Sequence, residues 1–485
     1  MEGQRQGAQQ APGGKALSKA ARLGPVFAVV AAGVAMSNLD TFVVNVALPQ
    51  IDAHFHTQLS SVSWILNAYT VIFAALLVPA GSLADRLGAR PTFLLGTGIF
   101  TAASLACSMA PGIWWLVAFR AVQAAGAAAL IPSSLGLLLA AAPPEKRQIA
   151  VRGWTAISGV AAALGPALGG LLTEASWRWV FWINVPIGVA ALLAGVFVLP
   201  VPPARNRAAR PDLAGAILLT LGAAAAALGL VESSTWGWGS ARVIGALVAG
   251  AVLLCLFVAQ SARHPDPVLP LGLLKMSSFS WPSAASLLFA IPFAAMLLSI
   301  VLWCQDVWHW SPLVTGLGIA PGPLMVPIFA LGAGPVLVRR FGSSAVGLAG
   351  SLFFAAGIGW WIAGMRASPD YPLGMLPGML LGGIGVGLAL PTLISVALTA
   401  LPPPSFSTGS AVITMGRQIG TVLGVGVLVA ILGASRHAGQ VAAFDRGWWF
   451  IVAASVVTAL ACLPVGRAAA RPSTAPASTQ AAARS

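Results

Sequence analysis

The sequence predicts an all-α polytopic membrane protein of fourteen transmembrane helices, and three observations predict it. The chain is 58% hydrophobic and only 8% charged over 485 residues, against about 25% charged residues in an average soluble domain. Its apolar residues gather in runs of roughly 20, the length a helix needs to span the hydrocarbon core. Its basic residues lie in short clusters between those runs, dense in every second interval, as a multi-pass topology requires. Lys+Arg total 26 and Asp+Glu 12, a net charge of +14; in a polar chain that balance would suggest nucleic acid, but here it reads as topology, and no nucleic-acid partner is expected. Intrinsic disorder, a disulfide scaffold and a soluble enzyme core are excluded by the same composition.

In chain order, residues 1–23 form a polar tail with no signal-peptide cleavage pattern, expected to be disordered and cytoplasmic. Residues 24–200 hold six spans, centred near Val34, Phe73, Gly98, Ala125, Val160 and Val189. A Pro- and Arg-rich linker and two further spans, near Gly222 and Val252, occupy residues 201–275; a twelve-helix reading would drop this pair. Residues 276–467 hold the last six, near Phe289, Leu324, Gly357, Gly385, Val422 and Val456, and a tail over 468–485 is expected to be disordered.

The charges test that count. With the amino terminus inside, the inner segments carry Lys15, Lys19, Arg86, Arg90, Lys146, Arg147, Arg152, Arg205, Arg207, Arg210, Arg263, Lys275, Arg339, Arg340 and Arg467. The outer segments carry only Arg178, Arg242, Arg366, Arg436 and Arg446. The positive-inside rule then puts both termini in the cytoplasm and makes the number of spans even. Trp clusters at Trp114-Trp115, Trp177/Trp179/Trp182, Trp236/Trp238, Trp303/Trp308/Trp310, Trp360-Trp361 and Trp448-Trp449 fall at predicted outer ends, where an interfacial belt explains them. Cys107, Cys255, Cys304 and Cys462 have no paired spacing, and His54 and His56 stand alone in an outer loop, so no disulfide, metal or cofactor is expected.

A weak internal repeat supports the division into six, two and six spans. After the second span of the first half comes Gly81 to Gly88, with Asp85 and Arg86; after the second span of the last half comes Val338 to Gly342, with Arg339 and Arg340. The fourth span of each half carries a Pro, Pro132 and Pro391. Parallel repeats of this kind are a transporter design with the substrate site between them.

Five stretches carry a resemblance to a known family. They are Leu39 to Pro49, the turn Gly81 to Arg90, Arg120 with Gln123 and Gly126, the run Gly159 to Gly170 containing Gly165, Pro166 and Gly169, and Trp177 to Gly188. In this order they resemble the fourteen-helix drug:proton antiporters of the major facilitator superfamily, from about Leu39 through Gly424, except that Ala124 replaces a usual Gly. The resemblance implies the major facilitator fold, two six-helix bundles plus two extra middle helices. It also implies that Gly81, Asp85, Arg86, Gly88 and Arg90 latch the inner gate and that Gly165, Pro166, Gly169 and Gly170 hinge the two halves. Arg339 stands where Asp85 would align in the second half, so the second latch is expected to be degenerate.

The residues themselves set the chemistry. Asp40 lies near the middle of the first span, where a carboxylate is costly unless paired, wetted or protonated. It is either a proton site or a packing residue hydrogen-bonded to Asn38 or Asn45. Arg120 sits at similar depth, within reach of Asp40 or a cavity water, and Gln123 extends the same helix face. Gly165 and Gly169, one turn apart, are expected to let the fifth helix touch the other half closely. Asn45, Gln123, Arg417 and Gln418 are the candidates for lining a substrate cavity. Two deep arginines against one aspartate disfavour dicationic cargo and fit neutral, zwitterionic or anionic compounds. Glu232 and Asp306 are expected at solvated outer helix ends, as accessory proton or entry-path groups at most.

The expected function is therefore proton-coupled efflux of a small organic compound, a drug or antibiotic, by a monomer working through alternating access. Uptake of a metabolite or ligand sensing are the alternatives. An enzyme is not expected, because the predicted spans hold one central acid and no His. Abundant Ala, Gly, Pro and Arg point to a GC-rich bacterial genome and hence to a bacterial cell membrane.

Overall fold

A computed structural model describes residues 13–56, 59–200, 212–265, 267–433 and 440–465, and these contain helices and no strand. The first half comprises α1 (Gly13–Phe55), α2 (Leu59–Leu87), α3 (Ala89–Ser108), α4 (Ile113–Ala141), α5 (Arg147–Ala175), the turn α6 (Trp179–Trp182) and α7 (Asn184–Val198). The middle pair is α8 (Leu213–Val231) and α10 (Ala241–Arg263), joined through α9 (Ser233–Trp236). The second half follows a short α11 (Leu271–Lys275): α12 (Ser277–Leu302), α13 (Pro312–Ile319), α14 (Pro321–Ile328), α15 (Gly334–Gly364), α16 (Leu376–Thr399), α17 (Phe406–Gly433) and α18 (Gln440–Ala461). Helix α1 starts at Gly13, inside the tail expected to be disordered, because Lys, Ala, Leu and Arg there are strong helix formers. Residues 1–12, the linker 201–211 and the tail from 466 lie outside the described residues.

Twelve stretches of the described residues are long and apolar enough to cross a membrane. One of them, Leu313–Gly364, has 52 residues. That is about 78 Å of helix, more than twice the roughly 30 Å hydrocarbon core. It turns at Gly342, where φ is 84°, a left-handed value that suits glycine, and so makes two crossings. Helix α5, 29 residues long, packs along α1 and is not one of the twelve.

The sequence repeat has a structural counterpart. Gly88, with φ 105°, turns the chain between α2 and α3 as Gly342 does in the second half. The third and fourth helices of each half then touch backbone to backbone. A Cβ on Gly96 of α3 would lie 2.8 Å from the carbonyl oxygen of Gly126 of α4, and one on Gly350 of α15 would lie 2.8 Å from that of Gly385 of α16. Lipid gives helices no hydrophobic reason to associate, so close contacts between small residues carry the packing.

The apolar core shows where the halves meet. At the Asp85 end, Val30, Phe93 and Leu130 of the first half merge with Phe279, Leu398 and Phe406 of the second in one cluster. Toward the opposite end each half keeps its own, around Val44, Ile65 and Phe181 in one and Phe289, Trp303 and Trp448 in the other. The tryptophans divide. Trp114, Trp115, Trp179, Trp182, Trp360 and Trp449 are exposed, as a belt requires. Trp177, Trp303, Trp308, Trp361 and Trp448 are buried, contrary to their expected place in the belt. Successive residues on a helix point about 100° apart, so one member of each pair Trp360-Trp361 and Trp448-Trp449 turns inward, and Trp448 meets Trp303 with ring centroids 4.9 Å apart.

Candidate functional site

Asp40 lies on α1, 1% exposed, inside the first half. Its carboxylate is fully engaged. Oδ2 accepts from Arg120 Nη1 of α4 at 2.5 Å. Oδ1 accepts from Gln123 Nε2 of α4 and from Asn184 Nδ2, the first residue of α7, both at 2.9 Å. Gln123 in turn donates to Ser104 Oγ of α3 at 2.7 Å and accepts from Arg120 through Oε1 at 2.6 Å. Arg120 Nε points at the Ile65 carbonyl of α2 at 3.4 Å, and its guanidinium lies 4.2 Å from the centre of the Tyr69 ring, also on α2. Five helices thus converge on one ion pair. An ion pair this deep persists because Gln123 and Asn184 add two more donors to the carboxylate.

The second polar contact of note joins the halves at the end where they share a core. Asp85, near the end of α2, accepts from the backbone N–H groups of Ser407 at 3.1 Å and Thr408 at 2.8 Å, the first turn of α17. These N–H groups have no partner within their own helix, and a carboxylate there also complements the helix dipole. Gly81, one turn earlier, makes the approach possible. A Cβ on it would lie 2.8 Å from the Ser407 carbonyl oxygen and 2.7 Å from Ala411 Cβ. Gly81→Val should therefore force α2 and α17 apart. With Cys255 replaced by Ser, since the other cysteines are buried, a Ser407→Cys reporter should react with maleimide several-fold faster in the Gly81→Val background. Equal labelling rates would show that the contact does not hold this end shut.

A family profile described as Major Facilitator Superfamily matches residues 30–425. The chain belongs to the Major Facilitator Superfamily. It is similar to the tetracenomycin C resistance and export protein of Streptomyces glaucescens, 32% identical over 85% of this chain and 76% of that protein. A multidrug resistance protein of Mycobacterium tuberculosis is 34% identical, over 83% of this chain and 74% of its own. The cephamycin export protein of Amycolatopsis lactamdurans is also 34% identical, over 81% and 82%. Among solved structures, the human organic anion transporter MFSD10 superposes with a TM-score of 0.67 over 93% of this chain and all of its own, at 14% identity, a likeness of fold.

In this major facilitator transporter the remaining candidates fall in several places. Gln123, fully buried, belongs to the Asp40 network, because its three-residue offset from Arg120 turns it to the same carboxylate. Asn45 is exposed and donates to the Thr41 carbonyl of its own helix, and Asn38 donates to Val34 and Ser158, so neither serves Asp40. Arg417 sits between the halves, in a pocket reached from α4, α5, α16 and α17, with half-buried Gln418 following it. Arg86 donates to the Pro267 carbonyl and Arg90 to that of Val196.

Two expectations need correction. Gly165 and Gly169 face α1 of their own half: a Cβ on Gly165 would strike the Phe42 side chain, and one on Gly169 would lie 3.1 Å from Val46 Cβ. The contact with the other half is made instead by Gly159, against Val326 of α14, and by Gly170, against Leu313 of α13. The helical period, about 100° per residue, separates these two faces of α5. The helix runs unbroken through Pro166, whose ring is outside the described residues. Glu232 is no solvated end group. It is 2% exposed, and its Oε1 accepts from Asn67 Nδ2 of α2 at 2.6 Å because α8 packs against α2. Asp306 is exposed. Asn184, Ser104 and Tyr69 escaped notice as members of the Asp40 site; one unmarked polar residue in an apolar run was the signal each offered.

Proposed function

We propose that the chain exports a small organic compound, a drug or antibiotic, from the bacterial cytoplasm in exchange for protons. The observation that carries this reading is the Asp40–Arg120 ion pair, buried inside the first half and braced by Gln123 and Asn184. The direction and the kind of cargo come from relatives whose names describe resistance and export. A proton arriving at Asp40 cancels its charge and leaves Arg120 seeking another partner. Arg120 touches α2 at Ile65 and Tyr69, and the same helix carries Gly81 and Asp85 about 18–30 Å further along. Helix α2 is therefore the lever between proton site and gate. With both termini in the cytoplasm, the Asp85 end is the inner gate, shut in this conformation. Residues 24–200 and 276–467 act as the two rocking bundles, hinged where Gly159 and Gly170 meet α13 and α14. A monomer embedded in lipid completes the cycle with no cofactor.

Expression in an efflux-deficient bacterium tests the proposal. Resistance to part of a broad antibiotic panel should rise, and a protonophore should remove the increase. Unaltered resistance throughout, or resistance indifferent to the protonophore, would overturn it.

A further inference from the structure

We infer that Arg417 and Ser410 anchor the anionic group of the exported compound, so that the cargo is an organic acid, a carboxylate or phenolate on an apolar body. This rests on the export reading above and narrows its substrate. Ser410, Thr414 and Arg417 follow each other by four and three residues and share one face of α17. That face lines a small pocket whose opposite wall is Leu135 of α4 and Trp154 of α5, with Ile394 of α16 at its side. The pocket thus straddles the two halves, and Arg417 lies about 16 Å along α17 from Phe406, near the middle of the membrane.

Two polar atoms there are buried without a partner, Arg417 Nε and Ser410 Oγ. Their neighbours are already satisfied: Thr414 Oγ1 donates to the Ser410 carbonyl at 2.8 Å and Trp154 Nε1 to Ser134 Oγ at 3.0 Å. A guanidinium has donors only, and a serine hydroxyl can donate as well, so what is missing is an acceptor. No carboxylate lines the pocket among the described residues. Arg120, the other deep arginine, has Asp40. Arg417 is half-buried and has no counter-ion in this pocket; an anionic ligand arriving with its own charge supplies one, once the void, which now has room for about one water, widens between the halves. Cationic cargo would meet an uncompensated positive charge.

The test is a fluorescence titration of the purified full-length protein in nanodiscs with anthracene carboxylate and its neutral isostere, anthracene carboxamide. The carboxylate should bind about tenfold tighter than the carboxamide, the factor that a single charge-assisted contact supplies. Arg417→Gln should erase the preference, Arg417→Lys should keep part of it, and Ser410→Ala should reduce it. Equal binding of the two probes, no saturable carboxylate binding, or a preference untouched by Arg417→Gln would overturn the inference. Should Arg417→Gln fail to elute as a folded species, an unchanged preference in both Arg417→Lys and Ser410→Ala overturns it equally. The resistance assay runs in parallel and separates the two claims. Protonophore-sensitive export without charge discrimination refutes the anchor alone, and discrimination without export refutes the export reading alone.

Discussion

Asp40→Asn should abolish proton-driven export while leaving the protein folded in the membrane. Asparagine keeps the size of the side chain and one oxygen for Arg120, so the five-helix junction around it can close with a turned amide at Asn184 or Gln123. What it lacks is the ability to gain and lose a proton. In proteoliposomes, export driven by a pH gradient should fall at least about tenfold, the loss expected when an essential proton carrier is removed, whereas downhill exchange of substrate without a gradient should persist. Undiminished gradient-driven export would remove Asp40 from the mechanism and leave it as a packing residue.

The second large effect is on stability. Breaking a buried ion pair by deleting one partner costs about 3–5 kcal/mol, because the other charge stays behind in a dry site. Asp40→Leu and Arg120→Met should each lower the unfolding midpoint in detergent by an amount of that order. The double variant should be more stable than either single one, since no orphaned charge is left. It should nevertheless show no proton-driven transport. Additive losses in the double variant would show that water reaches the pair and screens it. The same experiment separates the pair's two duties, holding the first half together and carrying the proton.

Much of this was legible in the sequence. The all-helical, multi-span class follows from apolar run length, because lipid permits few other arrangements. That Asp40 needs a partner was legible too, since a charge in an apolar run is conspicuous. Its partners were less so. Gln123 could be placed near Arg120 by helical spacing, but Asn184 lies 144 positions from Asp40 and reaches it only because α7 returns beside α1. Likewise a Gly-rich helix announces close packing without saying against what. Gly165 and Gly159 look alike in the sequence, yet one touches α1 and the other touches α14. Glu232 looked like a solvated helix end until the packing of α8 on α2 buried it.

By itself the sequence determined the class of molecule, the run of its spans and the scarcity of charge that makes Asp40, Arg120 and Arg417 conspicuous. These are properties of short stretches judged against a uniform solvent, the bilayer, which treats every segment alike. Only the tertiary structure decided which of those charges are satisfied. Whether a buried group finds a partner depends on residues brought together from distant helices, and no periodicity records that. The chain's two deep arginines are indistinguishable by composition and depth. One folds against an aspartate whose two oxygens both accept hydrogen bonds, and the other faces the seam between the halves with a donor still unused.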